Sequence, residues 1–223
     1  MTGASSGIGE AIASMLLDEG FEVIGIGRNF AKSKITNPNF TPVKCDVTDT
    51  SELIRVLNGI SKTDVLVNCA GSAYYGLAEN VGTEEITEMC RTDLEAPMVI
   101  TGKLLPKLRE SRGFVINICS VTSTRINTHA ACYGALKAAL RSYTRSLYEE
   151  VRKHGVKVCA VLPDLTSDTG LYRNADFEPS SDEGCHLLPE DVANAVKQIL
   201  NASEGSVITE LEIRPQQNKI SKK

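Results

Sequence analysis

The chain has 223 residues and a formal net charge of −4, a length that suits one well-buried core over 1–223 and is too short for two ordinary domains. Hydrophobic residues make up 42% and charged residues 23%, which is ordinary globular usage and excludes a disordered chain. The acidic balance excludes a basic footprint for nucleic acid, and no stretch approaches the ~18 consecutive apolar residues of a membrane span, so we expect neither nucleic acid nor a membrane as a partner.

The first part of the chain predicts a helix, followed by alternating strands and a second helix. Short apolar runs at 21–27, 42–46 and 64–68 suit buried strands, and a helical pattern covers 50–60. Gly20 stands where a left-handed cap would end the first helix. The apolar residues that recur at helical spacing in that helix are Ile8, Ala11, Ile12, Met15 and Leu16.

The rest of the chain continues this alternation. Helical patterns cover 83–108, 133–154 and 189–200, and strand-like runs lie between and after them at 113–118, 156–163 and 206–213. Strands that are apolar throughout and are separated by helices indicate a parallel sheet covered on both faces. We therefore predict a doubly wound, Rossmann-type α/β fold, in which ligands bind at the carboxyl ends of the strands.

The opening stretch MTGASSGIGE predicts a phosphate-binding loop. Gly3, Gly7 and Gly9 have the spacing G-x-x-x-G-x-G, and their missing Cβ atoms permit a tight turn and a close approach of backbone N–H groups to a pyrophosphate. The N-terminus of the following helix favours the same charge, and Ser5 and Ser6 add hydroxyl donors. Taken alone, the three glycines are also compatible with a flexible tip.

The end of the second predicted strand bears on which dinucleotide would bind. An acid at this position would bind the adenosine ribose hydroxyls and repel a 2′-phosphate. Here Gly27 is followed by Arg28, whose guanidinium can bind a phosphate bidentately. We therefore favour NADP(H) over NAD(H); the alternative is an ordinary surface arginine.

Ser120, Tyr133 and Lys137 form a candidate catalytic group. Tyr133 and Lys137 are four residues apart at the start of a helical pattern, so they share one face. A nearby ammonium and an oxidised nicotinamide both favour the phenolate, which makes Tyr133 a candidate acid for carbonyl reduction and base for alcohol oxidation. Ser120, at a strand end, can donate a hydrogen bond to the substrate oxygen. A lone Tyr/Lys pair also arises by chance on many helices.

The cysteines and histidines indicate no metal site. Seven cysteines include no C-x-x-C pair, and three histidines lie far apart in the sequence. Most of the cysteines fall in apolar runs, so we interpret them as reduced thiols of a cytoplasmic protein.

Together these motifs resemble the short-chain dehydrogenase/reductase family over nearly the whole chain. The loop TGASSGIG, the NCAG turn at 68–71 and the YGALK stretch match family motifs, and Ser120 lies 13 residues before Tyr133. The resemblance implies catalytic roles for Ser120, Tyr133 and Lys137, adenine contact by Asp46, and a ribose contact by Lys137. The implied cofactor-binding residues are Gly3, Ser5, Ser6, Gly7, Ile8, Gly9, Arg28, Asp46, Val47, Asn68, Ala70, Gly71, Tyr133, Lys137, Pro163 and Thr169.

Three positions depart from the family pattern. Cys69 replaces the second asparagine of the family's NNAG turn, so one hydrogen-bonding amide is lost. Asp93 stands where the family has the asparagine that completes its proton relay; we include it among the catalytic candidates, although a carboxylate there would raise the pKa of Lys137 and weaken its effect on Tyr133. Asp164 follows Pro163 where the family has glycine, which would place an acid near the nicotinamide carboxamide.

A fourth departure concerns the first strand. In the family a strand precedes the glycine loop at the centre of the sheet, whereas only Met1 precedes it here. Unpaired backbone groups on the two neighbouring strands would each cost ~1–3 kcal/mol when buried. We therefore expect Met1 to be an internal position of a longer natural chain.

Two segments are candidates for substrate binding and assembly. The polar stretch 169–187 is long enough to be a substrate lid or a disordered surface loop, and Tyr74 and Tyr75 suit either the pocket or the core. The basic end, 216–223, is interpreted as a solvated tail. The family commonly forms homodimers or homotetramers through its long helices, so the apolar pattern of the 133–154 helix suits either an interface or the chain's own core; its members are Leu136, Leu140, Tyr143, Leu147 and Val151.

The sequence therefore predicts an NADP(H)-dependent oxidoreductase that interconverts a carbonyl and an alcohol on a small organic substrate. The alternative is a dinucleotide-binding or structural module of the same fold without turnover, a consequence of Cys69, Asp93 and the missing strand.

Overall fold

Helices and strands alternate along the chain in the computed structural model, which describes residues 1–223. The strands are β1 (Val23–Gly27), β2 (Phe40–Lys44), β3 (Val65–Asn68), β4 (Phe114–Ile118), β5 (Lys157–Pro163), β6 (Phe177–Pro179), β7 (Glu210–Ile213) and β8 (Ile220–Lys222). The α-helices are α1 (Gly7–Asp18), α2 (Thr50–Asn58), α3 (Thr83–Cys90), α4 (Ala96–Ser111), α5 (Ala131–Val151) and α6 (Pro189–Leu200).

The central parallel sheet has two parts. β1 pairs with β2, and β3, β4, β5 and β7 pair in that order, all in parallel. Between the two parts lie Met1 and Thr2: Thr2 forms a parallel bridge to Ile26, and its N–H donates to the Val67 carbonyl at 3.0 Å. No strand precedes α1. The predicted parallel α/β architecture is confirmed.

Helices cover both faces of the sheet, which explains why β3, β4 and β5 are predominantly apolar. α1 and α6 pack together against one face, and their buried side chains include Ile12, Leu16, Val192, Val196 and Ile199. α2, α4 and α5 cover the other face with Leu53, Leu57, Ile100, Leu104, Leu108, Leu147 and Val151. No helix is both long enough and apolar enough to cross a membrane.

The apolar pattern of α5 belongs to the chain's own core. Leu140, Leu147 and Val151 are at most 5% exposed in the single chain. Periodicity left an interface and the core as alternatives for these side chains, and the burial assigns them to the core. Leu136 and Tyr143, the other two members of the pattern, are only partly buried.

The long helix predicted over 83–108 is two helices joined by a π-helical segment, Arg91–Glu95. Pro97 has no N–H to donate to the carbonyl four residues before it, and the N–H of Ala96 donates to Arg91, five residues back. The wider turn places Asp93 in the interior with no exposed surface. Single-turn π segments of this kind are frequent at functional sites.

The antiparallel pair β6 and β8 is absent from the sequence prediction. β6 lies in the predicted lid segment and β8 in the predicted tail, and their register pairs Phe177 with Lys222 and Pro179 with Ile220. The side chains of residues 216–223 are exposed, so the tail is solvated but also hydrogen-bonded to the lid. Strands of only three residues are too short to show a periodic signal of their own, so only tertiary pairing defines them.

Candidate active site

One large cavity lies at the carboxyl ends of the parallel strands, where a doubly wound sheet binds its ligands. Its volume of about 790 Å³ falls within the ~300–1,000 Å³ range of small-molecule sites. Fifteen predicted cofactor-binding residues line it: Gly3, Ser5, Ser6, Gly7, Ile8, Gly9, Arg28, Asp46, Val47, Ala70, Gly71, Tyr133, Lys137, Pro163 and Thr169; the catalytic candidate Ser120 lines it as well.

The glycine loop forms a cradle that leaves no room for side chains. Gly3 and Gly7 have φ values of 70° and 54°, a conformation that favours glycine. A Cβ on Gly3 would lie 2.8 Å from the Ala70 nitrogen, and one on Gly9 would lie 2.0 Å from the Gly3 carbonyl oxygen. The loop leads into the N-terminus of α1, where Ser6 makes no capping hydrogen bond and the first N–H groups have no partner within the helix. This backbone fits a pyrophosphate.

The adenosine end of the cavity is formed by the ends of β1 and β2. The Arg28 side chain is 62% exposed, and its closest acid is Glu88 at 4.0 Å. The Ser5 hydroxyl lies against Gly27, where a Cβ would come within 2.9 Å of it. Asp46 accepts hydrogen bonds from the N–H and hydroxyl of Thr48 at 2.9 and 2.8 Å. Arg28, and no acid, follows Gly27, so this end of the cavity presents a hydroxyl and a guanidinium.

Ser120, Tyr133 and Lys137 meet on the floor of the cavity. Ser120 is the second residue after the end of β4, and α5 carries Tyr133 and Lys137 one turn apart. Ser120 lies close enough to Tyr133 to act on the pKa of its phenol, and the Lys137 Nζ lies 5.6 Å from the centroid of the Tyr133 ring. The three residue types that carry the predicted proton chemistry therefore occupy one site.

Asp93 forms a buried ion pair with Lys137. Its Oδ1 lies 2.9 Å from the Lys137 Nζ, and the two side chains are 0% and 5% exposed. Lys137 also donates to the Ile118 carbonyl at 3.1 Å, and the Ser72 N–H donates to Asp93 Oδ2 at 3.1 Å. Burial alone would lower the pKa of Lys137, but the adjacent Asp93 carboxylate outweighs it and the pKa is raised. Lys137 therefore remains protonated, and its ammonium faces the Asp93 carboxylate.

Tyr133 is a protonated phenol at neutral pH. It is 3% exposed, and burial is the main cause that raises its pKa well above 10.0, followed by the charge of Asp93. Ser120 opposes this shift and lowers the pKa of Tyr133. The protonated phenol carries the proton that a general acid must donate, but a pKa so far above neutrality makes it a weak acid.

An aromatic cluster covers Tyr133. The Tyr75 ring centroid lies 5.9 Å from that of Tyr133, 5.9 Å from Tyr172 and 5.1 Å from Phe177. Tyr172 and Phe177 belong to the predicted lid segment, which therefore packs against Tyr75 beside Tyr133. Tyr75 lines the cavity, whereas Tyr74 donates its hydroxyl to Glu88 at 2.7 Å and does not line it.

Two predicted site residues have other partners. Asn68 does not line the cavity: it is 2% exposed, and its Nδ2 donates to Asn117 Oδ1 at 2.8 Å, so its amide joins β3 to β4. Asp164 lines the cavity, but its carboxylate pairs with Arg214 at 2.9 Å and accepts from the Leu165 N–H. Its charge is therefore already balanced within the protein.

Sequence reasoning missed several residues of the site. Ser72 holds Asp93, and the cavity wall includes Asn218, Ile220 and Lys222 from the tail and residues 125–129 from the loop before α5. Ser72 directly follows the NCAG turn, a position from which it could have been predicted. The tail had no such signal, because its place depends on the pairing of β8 with β6.

The comparisons with known proteins agree with this geometry. The chain matches the sequence profile described as short chain dehydrogenase over residues 1–178. It is 31% identical to an uncharacterised oxidoreductase of Staphylococcus aureus strain MW2 and 32% identical to one of Staphylococcus epidermidis, in each case over 96% of this chain and 95% of the relative.

Solved structures share the fold over almost the whole chain. Serine dehydrogenase from Escherichia coli matches with a TM-score of 0.83 at 26% identity, covering 96% of this chain and 95% of that one. A closed form of serine dehydrogenase complexed with NADP+ matches with a TM-score of 0.84 at 26% identity, over 96% and 93% of the two chains. The protein is an oxidoreductase that belongs to the short chain dehydrogenase family.

Proposed function

We propose that the protein interconverts a carbonyl and an alcohol on a small organic substrate, with NADP(H) as the hydride carrier. The observation that carries this proposal is the meeting of Ser120, Tyr133 and Lys137 beside the glycine cradle in one cavity. Two similar structures were solved with NADP, the closed serine dehydrogenase and a metagenomic short-chain oxidoreductase, which supports the choice of cofactor.

The side chains divide the proton chemistry among them. Ser120 donates a hydrogen bond to the substrate oxygen, where negative charge develops during reduction. Tyr133 gives its phenolic proton to that oxygen in reduction and takes it back in oxidation. Lys137 holds the nicotinamide ribose and stabilises the tyrosinate that remains after proton transfer. The bound nicotinamide supplies or accepts the hydride at the carbonyl carbon.

The cofactor preference rests on the end of β1. Arg28 is exposed at the cavity and has only the weak 4.0 Å contact with Glu88. It can therefore turn to a 2′-phosphate, which a guanidinium binds bidentately. The Ser5 hydroxyl adds a second donor at the same place. NAD(H), which lacks the 2′-phosphate, would lose both contacts.

Asp93 acts in this proposal as a positioning residue for Lys137. It contacts neither the cavity nor the reacting atoms, but it fixes the ammonium at 2.9 Å.

A second candidate function, dinucleotide binding without turnover, is favoured by the same contact. Burial and the charge of Asp93 are the two largest causes that raise the pKa of Tyr133, and Asp93 holds the Lys137 ammonium at 2.9 Å. A tyrosine activated so weakly is compatible with a module that only binds the cofactor.

Assembly and substrate follow the family in this proposal. We expect a small-molecule substrate and a homodimer or homotetramer, which light scattering on the purified protein would measure. Because the apolar stripe of α5 is already buried in the chain, the contact would use exposed side chains such as Met98, which is 38% exposed.

The Tyr133→Phe variant tests the enzyme proposal against its alternative. Removing the phenolic proton donor should lower kcat for carbonyl-dependent NADPH oxidation by ~10²–10⁴-fold, with the Kd for NADPH unchanged. Tyr148→Phe is the matched control, since Tyr148 lies on the same helix away from the cavity. Stopped-flow assays with a panel of small aldehydes and ketones provide the rates. Equal rates in the wild type and Tyr133→Phe would show that Tyr133 is not the proton donor, and NADPH binding without turnover would favour the alternative.

A further inference from the structure

The tail segment forms a wall of the cavity through strand alternation. Asn218, Ile220 and Lys222 line the cavity, whereas Lys219 and Ser221 between them do not. This period of two is that of a β-strand with one face toward the cavity. On the neighbouring strand Phe177, the register partner of Lys222, lines the cavity as well. The two-stranded ribbon β6–β8 therefore presents one face to the site.

Main-chain and side-chain contacts hold this ribbon in place. Beyond the strand pairs, the Ser180 N–H donates to the Lys219 carbonyl at 3.0 Å, and the Gln217 N–H donates to the Gly184 carbonyl at 2.8 Å. Lys219 also pairs with Asp182 on the side away from the cavity. The tail is thus part of the lid.

The chemistry of the wall combines an apolar surface with free positive charge. The Phe177 ring centroid lies 5.7 Å from that of Tyr172 and 5.1 Å from that of Tyr75, which packs against Tyr133. Ile220, which is 52% exposed, adds a second apolar side chain to the cavity wall. Lys222 and Arg173 line the same part of the cavity, and neither forms an ion pair.

We call the part of the cavity lined by Tyr133, the lid and the tail the substrate half. Most of the other charged side chains there are paired within the protein. Asp164 pairs with Arg214 and Arg125 with Glu212. Among the unpaired groups only Asp176, which also lines the cavity, opposes the two cations. The substrate half therefore carries a net positive charge next to its apolar wall.

We propose that the β6–β8 ribbon selects carbonyl substrates that combine a planar apolar body with an anionic group, the body lying against Phe177 and Ile220 and the anion against Lys222 and Arg173. This substrate class rests on the proposed function, since it names the compounds that the same site would reduce. A cationic side chain at a partly exposed wall contributes selectivity more than affinity.

The experiment compares two aldehydes of nearly the same shape and different charge, 4-formylbenzoate and 4-formylbenzamide, at saturating NADPH. For the wild type we expect kcat/KM to be about fivefold higher for the anion, the size of one or two exposed charge pairs. Lys222→Met and Arg173→Met should each reduce this ratio, and Asp176→Asn should increase it. Added salt should lower the ratio, because exposed charges are screened.

Lys153→Met is the matched control. It removes the same charge from an exposed position after α5 that does not line the cavity, so it should leave the ratio unchanged. A wild-type ratio of one or less, or a ratio that Lys222→Met and Arg173→Met leave unchanged, would overturn the proposal.

A binding measurement separates this proposal from the proposed function. Calorimetry with the unreactive pair 4-methylbenzoate and 4-methylbenzamide, in the presence of NADP+, requires no turnover. Tighter binding of the anion in the wild type, reduced in Lys222→Met, would support the charged wall even if no aldehyde is reduced. Equal affinities for 4-methylbenzoate and 4-methylbenzamide would contradict the proposed role of the charged wall. Reduction of the neutral aldehyde would still support the oxidoreductase proposal.

Discussion

At the scale of single residues, the pairing of Lys137 determines how Tyr133 can work. The ammonium lies 2.9 Å from Asp93 and 5.6 Å from the centroid of the tyrosine ring. The Asp93 carboxylate therefore cancels much of the electrostatic effect of the Lys137 ammonium on the phenol. Burial, together with Asp93, raises the pKa of Tyr133, so the phenol is available as an acid at neutral pH, whereas the phenolate needed for alcohol oxidation is scarce.

Asp93→Asn should shift the pH profile of the reaction. Oxidation requires the phenolate, so it gains rate as pH rises through the pKa of Tyr133. Reduction requires the phenol and loses rate over the same range. Removing the Asp93 charge should lower this pKa, so both limbs should move to lower pH and oxidation near neutrality should become faster. The profiles of kcat/KM in both directions measure the shift.

The control for this shift is an exposed ion pair. Asp64 pairs with Lys62 at 3.0 Å on the surface, and Asp64→Asn makes the same chemical change away from the site. It should leave the profiles in place. A lower rate for Asp93→Asn with an unmoved profile would indicate that Asp93 only supports the local structure.

At the scale of elements, a buried polar network joins the strands to α5. Asn68 donates to Asn117 at 2.8 Å, and Asn117 Nδ2 donates to the Thr144 hydroxyl at 2.8 Å. Asn68, Asn117 and Thr144 are at most 2% exposed. Because Thr144 lies two turns after Lys137 on α5, this network fixes the helix that carries the catalytic candidates against the ends of β3 and β4.

Thr144→Val should destabilise the fold measurably. The change keeps the side chain's shape but removes the acceptor for Asn117 Nδ2, and an unsatisfied buried donor costs ~1–3 kcal/mol. Thr87→Val is the control: Thr144 and Thr87 both donate to the carbonyl four residues back, at 2.7 and 2.8 Å, but Thr87 is exposed. Its effect should stay within ~0.5 kcal/mol. Urea unfolding measures both, and equal losses would indicate that the network contributes nothing.

The sequence predicted the elements whose signal is local. The helices after the glycine loop and over 133–154 were recognised from apolar periodicity, and the buried strands from continuous apolar runs. The break at Arg91–Glu95 was not predicted, because the helical pattern continues through it and the decisive feature is the missing N–H of Pro97. The hydrogen bond from Asn68 to Asn117 could not be predicted for a similar reason, since a motif position does not say which way an amide points.

At the scale of the whole molecule, the cavity depends on residues from nearly every part of the chain. The glycine loop, the ends of β1 to β5, the lid and the tail all contribute to its wall. The order of motifs allowed the cofactor half to be predicted, because the glycine loop opens a predicted helix, and Arg28, the NCAG turn and Ser120 lie at the ends of predicted strands. The substrate half could not be predicted in the same way, since its wall arises from the pairing of β6 with β8, which are about 40 residues apart.

A cofactor that contacts so many segments should stabilise the entire fold. At a concentration 100 times its Kd, a ligand that binds only the folded state adds ~2.7 kcal/mol to the free energy of unfolding. For a chain of this size each kcal/mol raises Tm by ~2–4 °C, so NADPH should raise Tm by about 5–10 °C. NADH at the same concentration should raise it less, because it has no 2′-phosphate for Arg28.

The Arg28→Ala variant identifies the origin of that difference. It should remove most of the difference between the NADPH and NADH shifts and leave the NADH shift unchanged, since the guanidinium contacts only the 2′-phosphate in our proposal and only the Ser5 hydroxyl would remain there. Arg145→Ala, an exposed arginine of α5 away from the cavity, is the control and should change neither shift. Scanning fluorimetry of the three proteins with each dinucleotide is sufficient. Equal loss of both shifts in Arg28→Ala would mean that Arg28 supports the loop itself, and the preference for NADP(H) would lose its physical basis.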